Sequence, residues 1–180
     1  LRGTILLAHE GINFFLAGDE QGIEAFLSFL DEDVRFLDIP LKRSHTTYQP
    51  FNRMNVRLKQ EIISIGMDEV KPAEFTGDTI APTEFKQWLD EGKSVTVLDT
   101  RNDYEIRLGT FENAVDLDIT SFRAFPSAIE TLPEYLKDTP VVMFFTGGIR
   151  CEKASVVTLE AGFQDVCQLC LFSSSPGPTD

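Results

Sequence analysis

The hydrophobic positions of the first third of the chain fall into two strand-like runs and one helical stripe. Gly3-Thr4-Ile5-Leu6-Leu7-Ala8 and Ile12-Asn13-Phe14-Phe15-Leu16-Ala17-Gly18 flank His9-Glu10-Gly11; both are short, branched and aromatic, the pattern of a β-hairpin. Beyond Asp19 and Glu20, apolar residues at Ile23, Phe26, Leu27 and Leu30 recur at i, i+3, i+4 and i+7 with acids in the first turn. That spacing predicts an amphipathic helix packed on the hairpin. After Asp31-Glu32-Asp33, strands are expected near Val34–Leu41 and near Met54–Ile65. In the second of these, Met54, Val56 and Leu58 face one way and Arg53, Arg57 and Lys59 the other.

From Lys71 to Pro82 the pattern lapses, and Pro72, Gly77 and Pro82 punctuate a polar stretch that reads as a linker. The chain is thus expected to divide into residues 1–71, a linker at 72–82, and residues 83–180. Thr83 stands as an N-cap before Glu84-Phe85-Lys86-Gln87-Trp88-Leu89, and Gly92 sits where a helix-ending glycine belongs. Ser94–Asp99 is a short apolar strand of the kind buried in parallel sheets. Further strands are expected at Ala114–Leu117 and Val141–Phe145, with helices near Ser127–Leu136 and from Arg150 to Ala161, the last closed by Gly162. Strands alternating with helices predict an α/β fold with a mainly parallel sheet.

At 180 residues, 42% hydrophobic and 25% charged, the chain can bury a core as one ordinary domain or two small ones, which excludes a disordered or collagenous protein. No apolar run approaches the roughly 18 residues that span a bilayer, and no charged segment followed by an apolar one opens the chain. Membrane insertion and secretion are therefore not expected. Three cysteines make no disulfide scaffold and suit a reducing compartment, the cytoplasm. The formal charge of −13 opposes nucleic acid and anionic lipid at face value. Its distribution changes the picture: 8 basic and 11 acidic residues precede the cut after Lys71, and 8 and 18 follow it. Between Ile39 and Gln60 there is no acid, yet Lys42, Arg43, Arg53, Arg57 and Lys59 are present with His45, Tyr48 and Phe51 among them. This island reads either as a solvated strand face or as a surface that meets phosphates or RNA.

The chemistry concentrates in Phe145-Thr146-Gly147-Gly148-Ile149-Arg150-Cys151, which joins a buried strand to a helix N-terminus. Backbone N–H groups and the helix dipole there can cradle an anion, glycine permits close approach, and Arg150 adds a permanent cation. Thr146, Gly147, Gly148, Ile149 and Arg150 are the expected anion-binding loop, against the plainer reading of a strand-to-helix turn. A cysteine at such a position, Cys151, is expected to be acidified. Asp99 and Arg101 lie at the carboxyl end of a buried strand, where α/β sheets place functional groups. Arg101 and Glu105 are expected to form a buried ion pair beside the loop. Cys167-Gln168-Leu169-Cys170 and His9-Glu10 lack the further ligands a metal site needs, so no metal is assigned. A base-stacking role for Phe51 or Tyr48 is the remaining aromatic option.

Asp99-Thr100-Arg101, Asp103-Tyr104-Glu105 and Gly109-Thr110-Phe111-Glu112-Asn113-Ala114, ahead of the Thr146–Ala154 loop, resemble the rhodanese signature. With Gly3–Gly18 and Phe51–Gly66, roughly residues 1–169 resemble the tRNA uridine hydroxylase branch of rhodanese-related proteins. The resemblance implies a ferredoxin-like, acylphosphatase-like α+β domain at residues 1–71, partial because a strand and helix would precede Leu1, and a rhodanese-like domain at 83–180. It implies oxygen-dependent 5-hydroxylation of the wobble uridine, tRNA as partner with Arg53, Arg57 and Lys59 holding it, and neither cofactor, DNA nor membrane. The family's persulfide-forming cysteine position is Phe145 here, which leaves Cys151 as the loop's thiol, Asp99, Arg101 and Glu105 as supporting residues, and standard sulfur transfer unexpected. The alternatives are a catalytically silent rhodanese-like binding module and a thiosulfate sulfurtransferase working through Cys151.

Overall fold

In the computed structural model, residues 1–37, 39, 41–67, 69–72, 74–145 and 149–170 are described. They form two compact units, Leu1–Ile62 and Ile63–Asp180.

In the first unit, β1 (Arg2–Ala8) and β2 (Gly11–Ala17) make the expected antiparallel hairpin, with Arg2 opposite Ala17 and Ala8 opposite Gly11. Gly3 is obligatory in this ladder. It adopts φ +146°, and a Cβ there would lie 1.9 Å from the Phe15 carbonyl oxygen. The helix α1 (Glu20–Asp31) starts at Asp19, whose carboxylate accepts the Gly22 N–H at 2.7 Å, and its Phe26 meets Phe14 edge-on at 5.4 Å. β3 (Met54–Leu58) joins β1 in parallel, giving the order β2-β1-β3. The strand expected near Met54–Ile65 therefore stops at Leu58. By register, Met54, Val56 and Leu58 share the α1 side with Ile5 and Phe14. That side is incompletely covered at β3, where Leu58 is 85% exposed.

No strand forms among the described residues of 34–41. The Asp33 carboxylate accepts the Arg35 N–H at 3.0 Å and grips the Arg35 guanidinium, bending Val34–Phe36 into one 3₁₀ turn. This local Asp-to-backbone bond competes with extension and wins here.

The second unit is a five-stranded sheet, all of its pairings parallel: β4 (Asp78–Ile80), β5 (Thr96–Asp99), β6 (Val115–Asp116), β7 (Val141–Phe144) and β8 (Val166–Leu169), in the order β4-β8-β7-β5-β6. β5 and β7 are buried throughout, which accounts for the unbroken apolar sequence of β7 and the Val97-Leu98 centre of β5. Around them lie α2 (Pro82–Asp90), α3 (Asp103–Ile106), α4 (Phe125–Ile129) and α5 (Ile149–Glu160). α2 begins at Pro82 with Ala81 as its cap residue, so Thr83 is not the N-cap; a proline at the first helical position needs no hydroxyl before it. The helix expected at Ser127–Leu136 is split into α4 and a 3₁₀ turn at Glu134–Leu136, with Pro133 between them. Gly162, at φ +95°, closes α5 as its sequence position implied.

The stretch expected as a linker contributes β4. Thr76 and Gly77 lead into it, held by Ser155 of α5: the Gly77 N–H donates to Ser155 Oγ at 2.9 Å. A Cβ on Gly77 would stand 2.8 Å from both Ser155 Cβ and the Val166 oxygen, so the approach is open only to glycine. Ile65 and Val70 join the core of this unit, around Leu98, Phe125, Ile129, Met143 and Val157. The compact units therefore divide ahead of the linker expected at 72–82. No helix among the described residues is long and apolar enough to cross a membrane.

Candidate functional site

The carboxyl ends of β5 and β7 lie side by side, with Asp99 paired to Phe144, and the chain leaving β7 reaches α5 through residues 145–148. Thr146, Gly147 and Gly148 of the expected anion-binding loop lie outside the described residues; Phe145, Ile149, Arg150 and Cys151 are described.

Asp99 is fully buried at the end of β5 and is surrounded by donors. Its carboxylate accepts the Arg101 N–H at 3.0 Å, the Arg101 guanidinium at 2.7 Å through Nη2, and the Thr110 hydroxyl at 2.7 Å. The same guanidinium donates to the Gly109 carbonyl at 2.7 Å, and its hydrogen bond to Asp99 raises its pKa above the ordinary arginine value. The ion pair expected between Arg101 and Glu105 is thus not formed. Arg101 folds back on Asp99, which lies two residues away at hydrogen-bond distance, and Glu105 is left to Arg150.

Glu105 Oε2 accepts Arg150 Nη1 at 2.7 Å and the Asn102 N–H at 3.1 Å. The Arg150 guanidinium stacks over Phe145, with 4.4 Å from its carbon to the ring centroid, and lies 5.9 Å from the Phe122 ring. Its Nε is buried without a hydrogen-bond partner. The cation assigned to an anion is therefore already balanced by a carboxylate and roofed by aromatic rings. Thr110, Asn102 and Phe122 were not singled out from sequence; Thr110 stands inside the quoted Gly109–Ala114 segment, whereas nothing local marks Phe122 as a neighbour of Arg150.

Cys151 behaves opposite to expectation. Its side chain is 2% exposed, and burial pushes the thiol up to about 12; the neighbouring charges of Glu152 and Asp99 add to the rise. The Thr100 hydroxyl, 3.7 Å from Sγ, and Arg150 act the other way and are outweighed. The helix N-terminus and the arginine do not acidify this thiol because the Arg150 charge is paired with Glu105 and the thiol is buried. A protonated buried thiol is a poor nucleophile, which weighs against sulfur transfer through Cys151.

The second set of candidate residues lies in the first unit. Arg53 and Lys59 flank β3 and extend its ladder, since Gly3 N–H donates to the Arg53 carbonyl at 3.0 Å and Lys59 N–H to the Leu7 carbonyl at 2.8 Å. With Arg57 they occupy alternate positions and are exposed, none of them in an ion pair among the described residues. His9 is an exposed turn residue, and Glu10 accepts the Ile62 N–H, so this pair serves the turn. Among the described residues Cys151, Cys167 and Cys170 form no disulfide, and no three His, Cys, Asp or Glu side chains converge.

A small mixed sheet with one helix, followed by a parallel α/β sheet whose strand-to-helix loop carries the conspicuous chemistry, defines a rhodanese-like protein with an N-terminal acylphosphatase-like domain. Residues 1–62 match the UPF0176 acylphosphatase-like domain and residues 81–169 the rhodanese-like domain. Over 174 residues, 94% of the chain, it is 49% identical to a tRNA uridine(34) hydroxylase of Cupriavidus necator and 48% identical to one of Thiobacillus denitrificans, covering 62% and 70% of those proteins. A Legionella pneumophila protein of the same name is 43% identical over 169 residues, of which the chain covers 66%. The chain belongs to the tRNA uridine(34) hydroxylase family. It spans 62% of the length of the Cupriavidus relatives it matches.

Proposed function

We propose that this chain takes part in tRNA modification in the cytoplasm, as a hydroxylase of uridine 34 that holds tRNA with Arg53, Arg57 and Lys59. The observation that carries the reading is the 43–49% identity to proteins of that name, continuous through both domains. The acid-free basic strand supports it, because phosphate binding needs clustered, available cations. Under this reading the Asp99–Arg101–Thr110 cluster and the Glu105–Arg150 pair are positioning devices: they fix the carboxyl end of β5 and the first turn of α5.

A second reading, a catalytically silent rhodanese-like binding module, is favoured by Phe145, whose ring lies on Arg150 and which can carry no sulfur. One experiment separates the two. Cells lacking their own uridine-34 hydroxylase are complemented with this chain or with Phe145→Cys, and hydroxylated uridine is measured in digested tRNA by mass spectrometry. The first reading expects the modified base with the unaltered chain; modification by Phe145→Cys alone turns the conclusion to the silent module. With neither, the hydroxylase reading falls.

A further inference from the structure

The hairpin and β3 share a second face, opposite the one that meets α1. Register places Arg2, Phe15, Asn55 and Arg57 on it, with Arg53 and Lys59 continuing the same side at the two ends of β3. Phe15 stands directly across from Thr4 of the central strand, and Asn55 pairs with Thr4 from the other flank, so the ring stands on the β2 edge of the three-stranded surface in one row with Thr4 and Asn55. It is 63% exposed, while its neighbour Phe14 turns the other way to pack on Phe26. Arg2 is its diagonal cross-strand neighbour, about 7–8 Å away and within reach of a long side chain. In a chain of net charge −13, no acid stands on this face, and Arg2, Arg53, Arg57 and Lys59 are in no ion pair among the described residues.

We propose that this sheet face is a stacking platform for single-stranded RNA, on which Phe15 receives an unpaired base while Arg2, Arg53, Arg57 and Lys59 contact the flanking phosphates. The physical case is the combination. An aromatic ring presents a flat face to any base, cations spaced along adjacent strands follow a phosphodiester chain, and the open sheet lets a strand lie flat on it. A protein partner would need a larger apolar patch than one ring among four cations. The proposal rests on the tRNA reading above and adds to it the residue that meets a base.

The test uses the full chain, with fluorescence anisotropy on two probes: a labelled oligouridylate of about ten nucleotides and an unmodified tRNA transcript. Phe15→Ala is expected to weaken oligouridylate binding about tenfold while leaving the slope of log K against log salt unchanged, because stacking releases no counterions. Phe15→Trp keeps the affinity, and Arg57→Ala lowers the slope by about 0.7. Circular dichroism shows every variant folded, since Phe15 and Arg57 are solvent-facing. If Phe15→Ala binds like the parent while Arg57→Ala weakens, the stacking platform is overturned and the tRNA reading stands. If the parent binds neither probe, both are overturned. Displacement of the RNA by a glutamate-rich peptide of equal charge at lower concentration would assign the face to an acidic protein and overturn the platform.

Discussion

The two units handle positive charge in opposite ways. In the second, Arg101 is locked to Asp99, Arg150 to Glu105, and the buried Lys153 ammonium to the Ile63 carbonyl at 2.9 Å. In the first, Arg2, Arg53, Arg57 and Lys59 stand exposed along one sheet face. A guanidinium taken from water must be met by a carboxylate and further acceptors, so Arg101 and Arg150 are committed to structure. Arg2, Arg53, Arg57 and Lys59 of the first unit are in no ion pair among the described residues, whereas Arg35 and Arg43 pair with Asp33 and Glu24 at the surface. The same residue type is therefore architecture in one place and solvent-facing charge in the other, and burial rather than sequence separates the two.

The most severe way to break this contrast is Asp99→Asn. It leaves the Arg101 guanidinium, only 14% exposed, without its counter-charge, and chemical denaturation is expected to show the second unit less stable by about 3–5 kcal/mol. Gly77→Ala comes next. The added methyl has Ser155 and the Val166 backbone at 2.8 Å, and an overpacking loss of about 1–3 kcal/mol is expected in the same assay.

Cys151 sharpens the contrast through pH. Its thiol stays neutral in the folded chain up to about 12, against 9.0 for an ordinary thiol. Between those values the unfolded chain has lost the proton and the folded chain keeps it, so this contribution to stability is intact below 9 and is lost as pH rises toward 12. Native Cys151 should accordingly resist iodoacetamide at pH 8 and react on unfolding, as followed by mass spectrometry. Prompt modification in the folded state would contradict its burial. The smallest stability effect belongs to the basic face: replacing Arg53, Arg57 and Lys59 together by Ala should change unfolding free energy by no more than about 0.5 kcal/mol per site.

What sequence could and could not disclose follows from the range of the forces involved. β7 was legible because a strand buried on both faces is continuously apolar, β5 through its Val97-Leu98 centre, and the end of α5 because a glycine at φ +95° marks it. β4 was hidden. Asp78-Thr79-Ile80 has no periodicity, and it becomes a strand only by pairing with Cys167-Gln168-Leu169 from the far end of the chain. The turn at Val34–Phe36 was misread as strand because a run of apolar residues outweighed an Asp33–Arg35 contact that is itself local.

At the site, the residue types were visible and their partners were not. Asp99, Arg101, Glu105 and Arg150 could be named, yet which acid meets which arginine depends on a contact spanning residues 105 to 150. The sign of the Cys151 shift went the same way. The helix N-terminus and Arg150 are local and lower a thiol pKa, while the burial that raises it comes from the packing of the core around it. Phe15 went unnoticed as a surface residue because its run, Phe14-Phe15, looks uniformly apolar until the hairpin register places the two rings on opposite faces.

The most direct test of the central claim, that the cations along β3 of the first unit meet nucleic acid, is the salt dependence of tRNA binding by the full chain and by the Arg53→Ala/Arg57→Ala/Lys59→Ala variant. The account predicts that the slope of log K against log salt falls by about 2–3 in the variant, close to one lost phosphate contact per residue. An unchanged slope, with the same affinity, would contradict it.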